Sequence, residues 1–221
     1  MMSRHRQAYE DRRAAGRILA GALEHLRSRH PVVLALPRGG VPVAFEVAQA
    51  LDCALDVVLV RKLGAPGQPE LAAGAVVDTD PIELVGNPGV MEALGLDRAW
   101  LQRAAAAQHD ELQRRRVLYI GTRPRPALAG STVIVVDDGI ATGASIRAAL
   151  QAVRRAKPAR LVLAVPVAPR EILDELGSLC DEIVCPLQPE DFGAVGLYYA
   201  DFTQTDDAQV VELLAKAEVL A

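Results

Sequence analysis

The apolar positions of the chain fall into two rhythms, and their alternation predicts the architecture. Apolar runs recur at Val32–Leu36, Leu55–Val60, Val133–Val136, Leu161–Val167 and Glu182–Leu187. A run without polar alternation suits a strand buried on both faces, the habit of a parallel sheet. Between the runs lie stretches with helical spacing. Tyr9 to Arg27 sets Ile18, Leu19, Leu23 and Leu26 on one face. Further helices are expected over 43–51, 96–119, 146–155, 170–176 and 207–220. Strands and helices in turn predict an α/β fold, a mostly parallel open sheet flanked by helices and joined by right-handed crossovers. Ala73–Val77 and Ile82–Val85 read as short strands around the turn Asp78-Thr79-Asp80-Pro81, forming a hairpin or the base of a lid. Gly64 to Pro69 carries Pro and Gly too densely for regular structure and is expected as a loop.

Composition narrows this picture. A chain of 221 residues suits one domain. The core is expected over about 30–187, with a lid or insertion over about 64–125 and a C-terminal hood over about 188–221. Apolar residues make up 51%, enough for a sizeable core. A net charge of −4 disfavours non-specific binding to nucleic acid. Cys53, Cys180 and Cys185 sit in apolar segments and read as buried thiols of a reducing compartment. No apolar run approaches the roughly 18 residues of a membrane span. The polar N-terminus has no signal-peptide core. These features give a cytoplasmic expectation and no membrane partner.

The chemistry concentrates in residues 133–145. The strand Val133–Val136 runs into Asp137 and Asp138, then a loop with Gly139 and Gly143, then a helix. Backbone N–H groups at such a loop and at the helix start suit a phosphate. Thr142 and Ser145 add hydroxyl donors. Two carboxylates beside a phosphate would be repelled unless they face sugar hydroxyls or a divalent cation. A ribose 5-phosphate group with Mg2+ meets both demands. Neither Gly-Lys-Ser/Thr nor G-x-G-x-x-G is present, so this is neither a P-loop nor a dinucleotide fingerprint.

A second strand–loop–helix starts at Val32–Leu36 and passes through Pro37-Arg38-Gly39-Gly40. Taken alone its default is a tight turn; a helix start of this kind also suits an anion, and Arg38 adds a fixed positive charge. Arg61 and Lys62 follow the next apolar run, at the sheet edge where open α/β sheets take ligands, or form a solvated pair. Arg114, Arg115, Arg116, Arg123 and Arg125 supply charge to a ligand or a neighbouring subunit, or form a solvated face. Phe192, Tyr198, Tyr199 and Phe202 cluster in the tail. Phe192 is a candidate to stack on a planar base, the alternative being that these rings pack the last helix onto the sheet.

The pattern of residues 133–145, a hydrophobic run, an acidic pair and then G-x-x-T-G-x-S, resembles the 5-phosphoribosyl 1-diphosphate (PRPP) motif of type I phosphoribosyltransferases. The resemblance implies that Asp137 and Asp138 engage the ribose, directly or through Mg2+. It places the 5-phosphate on Gly139, Ala141, Thr142, Gly143, Ala144 and Ser145. It places the diphosphate at Arg38, Gly39 and Gly40, with Lys62 near it and Arg61 as a further candidate, and it implies a cis or strained non-proline peptide near Arg38-Gly39. It implies closure of a mobile loop over the ligand, catalytic roles for Asp137, Asp138 and Lys62, and a homodimer. Ala141 stands where the hypoxanthine-guanine enzymes carry an acid, so the motif is closer to that of the adenine and orotate enzymes. The base itself is not identified. Two alternatives remain: a PRPP-sensing regulator of nucleic-acid binding, and a PRPP-binding partner without turnover.

Overall fold

The computed structural model describes residues 8–220. In chain order, α1 (Arg12–Leu23) leads to β1 (Val32–Ala35), α2 (Gly40–Leu51) and β2 (Ala54–Val57). β3 (Val60–Ala65), β4 (Gln68–Val77) and β5 (Glu83–Gly86) follow, then α3 (Pro88–Ala93), α4 (Arg98–Ala106) and α5 (His109–Ile120). The chain continues through β6 (Thr132–Val136), α6 (Ala144–Arg155), β7 (Arg160–Ala164), α7 (Arg170–Leu176), β8 (Glu182–Val184) and α8 (Asp207–Leu220).

β2, β1, β6, β7 and β8 form one parallel sheet in that order. β6 lies at its centre with all five residues buried, as its unbroken apolar run requires. α1, α2 and α8 cover one face, where Leu19, Leu23, Val43, Val47, Val210 and Leu214 meet Val33 and Ile134. α6 and α7 cover the other through Ile146, Leu150, Val153 and Leu173. The α/β expectation therefore holds, with a parallel sheet covered on both faces.

β3, β4 and β5 make a separate antiparallel sheet. It is no detached flap at its base, because Ala75, Val77 and Val85 pack in the same core as α6. Gly64–Pro69 departs from the loop expectation. Its residues belong to β3 and β4, joined across Pro66-Gly67 with Gly67 at φ 72°. Proline followed by glycine at positive φ is the chemistry of a tight turn, so the same residues that argued against order make the hairpin. The helix expected over 96–119 is two helices. The second begins after Gln108, and Asp97 caps the first by accepting from Trp100 N at 2.7 Å.

Candidate active site

The sheet order reverses between β1 and β6. In open parallel sheets the ligand crevice opens at such a switch point, outside the carboxyl ends of the strands. Here the two strands exit side by side, Ala35 paired with Val136, and Leu36 N donates to Val136 O at 2.9 Å. The two glycine loops singled out in the sequence therefore meet at one place.

The first loop contains a cis peptide between Pro37 and Arg38, one bond before the position expected. α2 then starts at Gly40, aiming its N-terminus at the crevice. Glycine is required here by space. A Cβ on Gly39 would stand 2.1 Å from Asp138 Oδ2. One on Gly40 would stand 2.9 Å from Val136 O and 3.0 Å from Asp137 Cα. Arg38 is half-exposed, with Nη1 3.7 Å from Asp207 Oδ1 at the start of α8.

The second loop carries the acidic pair. Asp138 N donates to Asp137 Oδ1 at 2.9 Å. Burial holds Asp137 well above the usual carboxylate range, and the adjacent Asp138 charge pushes it the same way. Burial raises Asp138 too, opposed by its hydrogen bond to Arg12. Gly143, at φ 72°, caps α6, which begins at Ala144. The first N–H groups of a helix lack intrahelical partners, so the turn containing Ala144 and Ser145 presents donors to an anion. Ala141 and Thr142 are exposed on the same loop.

A third wall was not legible in the sequence. Arg12, in the first turn of α1, donates from Nε to Asp138 Oδ2 at 2.7 Å and from Nη1 to Thr203 O at 2.7 Å. Its guanidinium lies over the Phe202 ring, 3.9 Å from the centroid. The Tyr199 hydroxyl donates to Asp138 O at 2.5 Å, and Tyr9 bridges to Tyr199 in parallel. The tail thus folds over the acidic loop, where a Cβ on Gly139 would stand 2.6 Å from Val195 Cγ1. One signal was available. An arginine in the first helical turn faces the positive end of the helix dipole, a local inconsistency that marks a residue with another task.

The remaining candidates scatter. Arg61 is half-buried and donates to Gln108 Oε1 at 3.1 Å, and Lys62 is exposed on β3. Among the described residues no hydrogen bond or ion pair joins either to the glycine loops. Phe192 stacks on Tyr198, with centroids 5.5 Å apart. Phe192, Tyr198 and Tyr199 cluster with Tyr9, Ala15 and Val167, and Phe202 lies against Tyr199 with centroids 5.0 Å apart. The five arginines have structural partners. Arg116 and Arg125 pair with the buried Asp78, Arg114 and Arg115 with Glu111, and Arg123 donates to carbonyls of Tyr119, Ile120 and Leu214. No helix of the described residues is long and apolar enough to cross a membrane.

Comparison with known proteins agrees with this geometry. A family model described as a phosphoribosyl transferase domain matches residues 5–202. Two Mycobacterium tuberculosis proteins, from strains H37Rv and CDC 1551 and provisionally named as phosphoribosyl transferases, are each 46% identical over 209 residues. The match covers 95% of this chain and 47% of theirs, so the chain spans about half the length of these curated relatives. The crystal structure of TT1426 from Thermus thermophilus is similar at TM-score 0.83 and 48% identity, covering 94% of this chain and 98% of that one.

Proposed function

The chain belongs to the phosphoribosyl transferase domain family, and from that premise we propose that it transfers a phosphoribosyl group from PRPP to a nitrogen of a base, with Mg2+ as cofactor. The observation that carries this reading is the meeting of two glycine-lined helix N-termini around an acidic pair at the switch point. PRPP has an anion at each end and hydroxyls between, and the crevice offers donors, carboxylates and donors in that order. The α6 turn, residues 139–145, takes the 5-phosphate. Arg38, Gly39 and Gly40 take the diphosphate, with Arg61 and Lys62 adding charge from β3. Asp137 and Asp138 accept from the ribose hydroxyls.

The residues also fit Mg2+. Its usual donors are one or two carboxylates, waters and substrate phosphates rather than a protein cage. Asp137 and Asp138 supply such a pair, and among the described residues no group of three His, Cys, Asp or Glu forms a closed site. When bound, the ion neutralises charge on the departing diphosphate. The chain's own residues do the rest. The two helix termini fix the ligand at both ends, holding the anomeric carbon in line with the base. The bond from that carbon to the diphosphate oxygen breaks, the bond to the base nitrogen forms, and the proton of that nitrogen passes to the departing diphosphate. The carboxylates favour the positive charge that builds on the ribose ring. Closure of the β3–β4 lid excludes water. The hood supplies the base side, with Phe192 as the candidate stacking ring. A homodimer and a cytoplasmic setting complete the reading.

Diphosphate release from PRPP and Mg2+ across a panel of purine, pyrimidine and pyridine bases tests it. Release dependent on one class of base is expected. PRPP binding without release for any base would favour a regulatory or binding role instead.

A further inference from the structure

Arg12 stands where helix electrostatics disfavour a cation, yet only 11% of its side chain is exposed. Three groups hold it: Asp138 Oδ2, Thr203 O and the Phe202 ring. The helix start beneath it is fixed by Asp11, whose Oδ1 accepts from Ala14 N at 2.7 Å. The strand-like segment before it is tied to the tail, with Tyr9 N donating to Tyr198 O at 3.0 Å and Ala200 N to Tyr9 O at 2.8 Å. Asp138 is therefore gripped twice from outside the core, through its carboxylate by Arg12 and through its carbonyl by the Tyr199 hydroxyl.

We infer that Arg12 is a positioning residue for ribose recognition: with the tail folded beneath it, it fixes the Asp138 carboxylate by Oδ2 so that Oδ1 is presented to a sugar hydroxyl. The inference rests on the PRPP reading and names a residue outside the motif loops. Two adjacent carboxylates at the mouth of a crevice repel each other and an incoming anion. A buried guanidinium on one of them removes part of that repulsion and sets its rotamer in one contact. The fork geometry matters because one nitrogen holds Asp138 while another holds the tail, a bridge that a single ammonium cannot reproduce. Segment 199–203 is thereby part of the ribose site without touching the ligand.

Calorimetric titration of the parent, Arg12→Met and Arg12→Lys with PRPP and Mg2+ tests this, beside the same titrations with inorganic diphosphate, which carries no ribose. Arg12→Met is expected to weaken PRPP binding at least tenfold and leave diphosphate binding within twofold. Arg12→Lys is expected to recover part of the loss. Phe202→Leu, which removes the ring but keeps the ion pair, is expected to weaken PRPP binding less and in the same direction, and it serves if Arg12→Met does not fold. Equal or tighter PRPP binding by Arg12→Met would overturn the inference and make Arg12 a competitor of the ligand. Equal loss of PRPP and diphosphate would reduce Arg12 to a structural role. A parent that binds diphosphate but not PRPP would overturn the phosphoribosyl reading itself, and the inference with it.

Discussion

The β1–α2 and β6–α6 units have the same plan and opposite side-chain charge. Each is a buried strand, a glycine loop and a helix of 12 residues. The first carries Arg38, the second Asp137 and Asp138. Their glycines serve different needs. Gly39 has ordinary helical angles, φ −60° and ψ −34°, and is glycine because the β6 loop occupies its Cβ volume. A Cβ on Gly143 would meet at closest Ile172 Cγ2, at 3.0 Å, the end of a side chain that can give way. That position is glycine chiefly because φ is 72°. Their helices differ as well. α2 is buried from Gly40 to Ala48, wedged between the sheet, α1 and α8, whereas α6 keeps a polar face. The helix termini supply the same donors twice, and the side chains decide which part of a ligand each receives.

Substitutions that treat the two loops unequally sharpen this comparison. The largest effect is expected from Gly40→Ala. Its Cβ meets backbone atoms that cannot swing aside, so one loop must shift against the other. A loss of about 1–3 kcal/mol is expected, together with a more than hundredfold loss of PRPP affinity in calorimetry. Gly143→Ala is expected to cost about 1–2 kcal/mol from the left-handed angle alone and to weaken the phosphate end while sparing diphosphate binding. Equal loss of diphosphate affinity in the two variants would break the division of labour between the loops.

The smallest effect has the opposite sign. Asp137 has a folded-state pKa above its unfolded value, so ionising it costs folding free energy. Its stabilising balance is complete below about pH 4, the unfolded value, and is lost as pH rises toward the folded value. Ligand-free Asp137→Asn is therefore expected to be the more stable protein at neutral pH, by about 1 kcal/mol or roughly 2–4 °C in Tm, with the gap closing near pH 4. Thermal melts across pH 4–8 check this, and a gap independent of pH would contradict it.

What the sequence disclosed follows from how local each feature is. β6 and its loop are one contiguous segment, so run, acids and glycines could be read together. The β1 loop was legible for the same reason. Arg12 was not, because its partner lies 126 residues away and its seat is built by Phe202 and Thr203. The arginines of 114–125 were ambiguous because Asp78, which draws two of them inward, is 38 and 47 residues distant. A buried carboxylate needs a cation, but the sequence does not say which one. The hairpin at Gly64–Pro69 departs from the loop expectation for a local reason: a two-residue turn and a longer loop share the same Pro and Gly composition.

Calorimetric titration of the purified protein with PRPP, with and without Mg2+ and beside Asp138→Asn, tests the central claim most directly. Micromolar, Mg2+-dependent binding that Asp138→Asn loses is expected if the crevice between the β1 and β6 loops holds the phosphoribosyl group. Absence of binding under every condition would contradict it and leave the paired loops as a site for some other sugar phosphate.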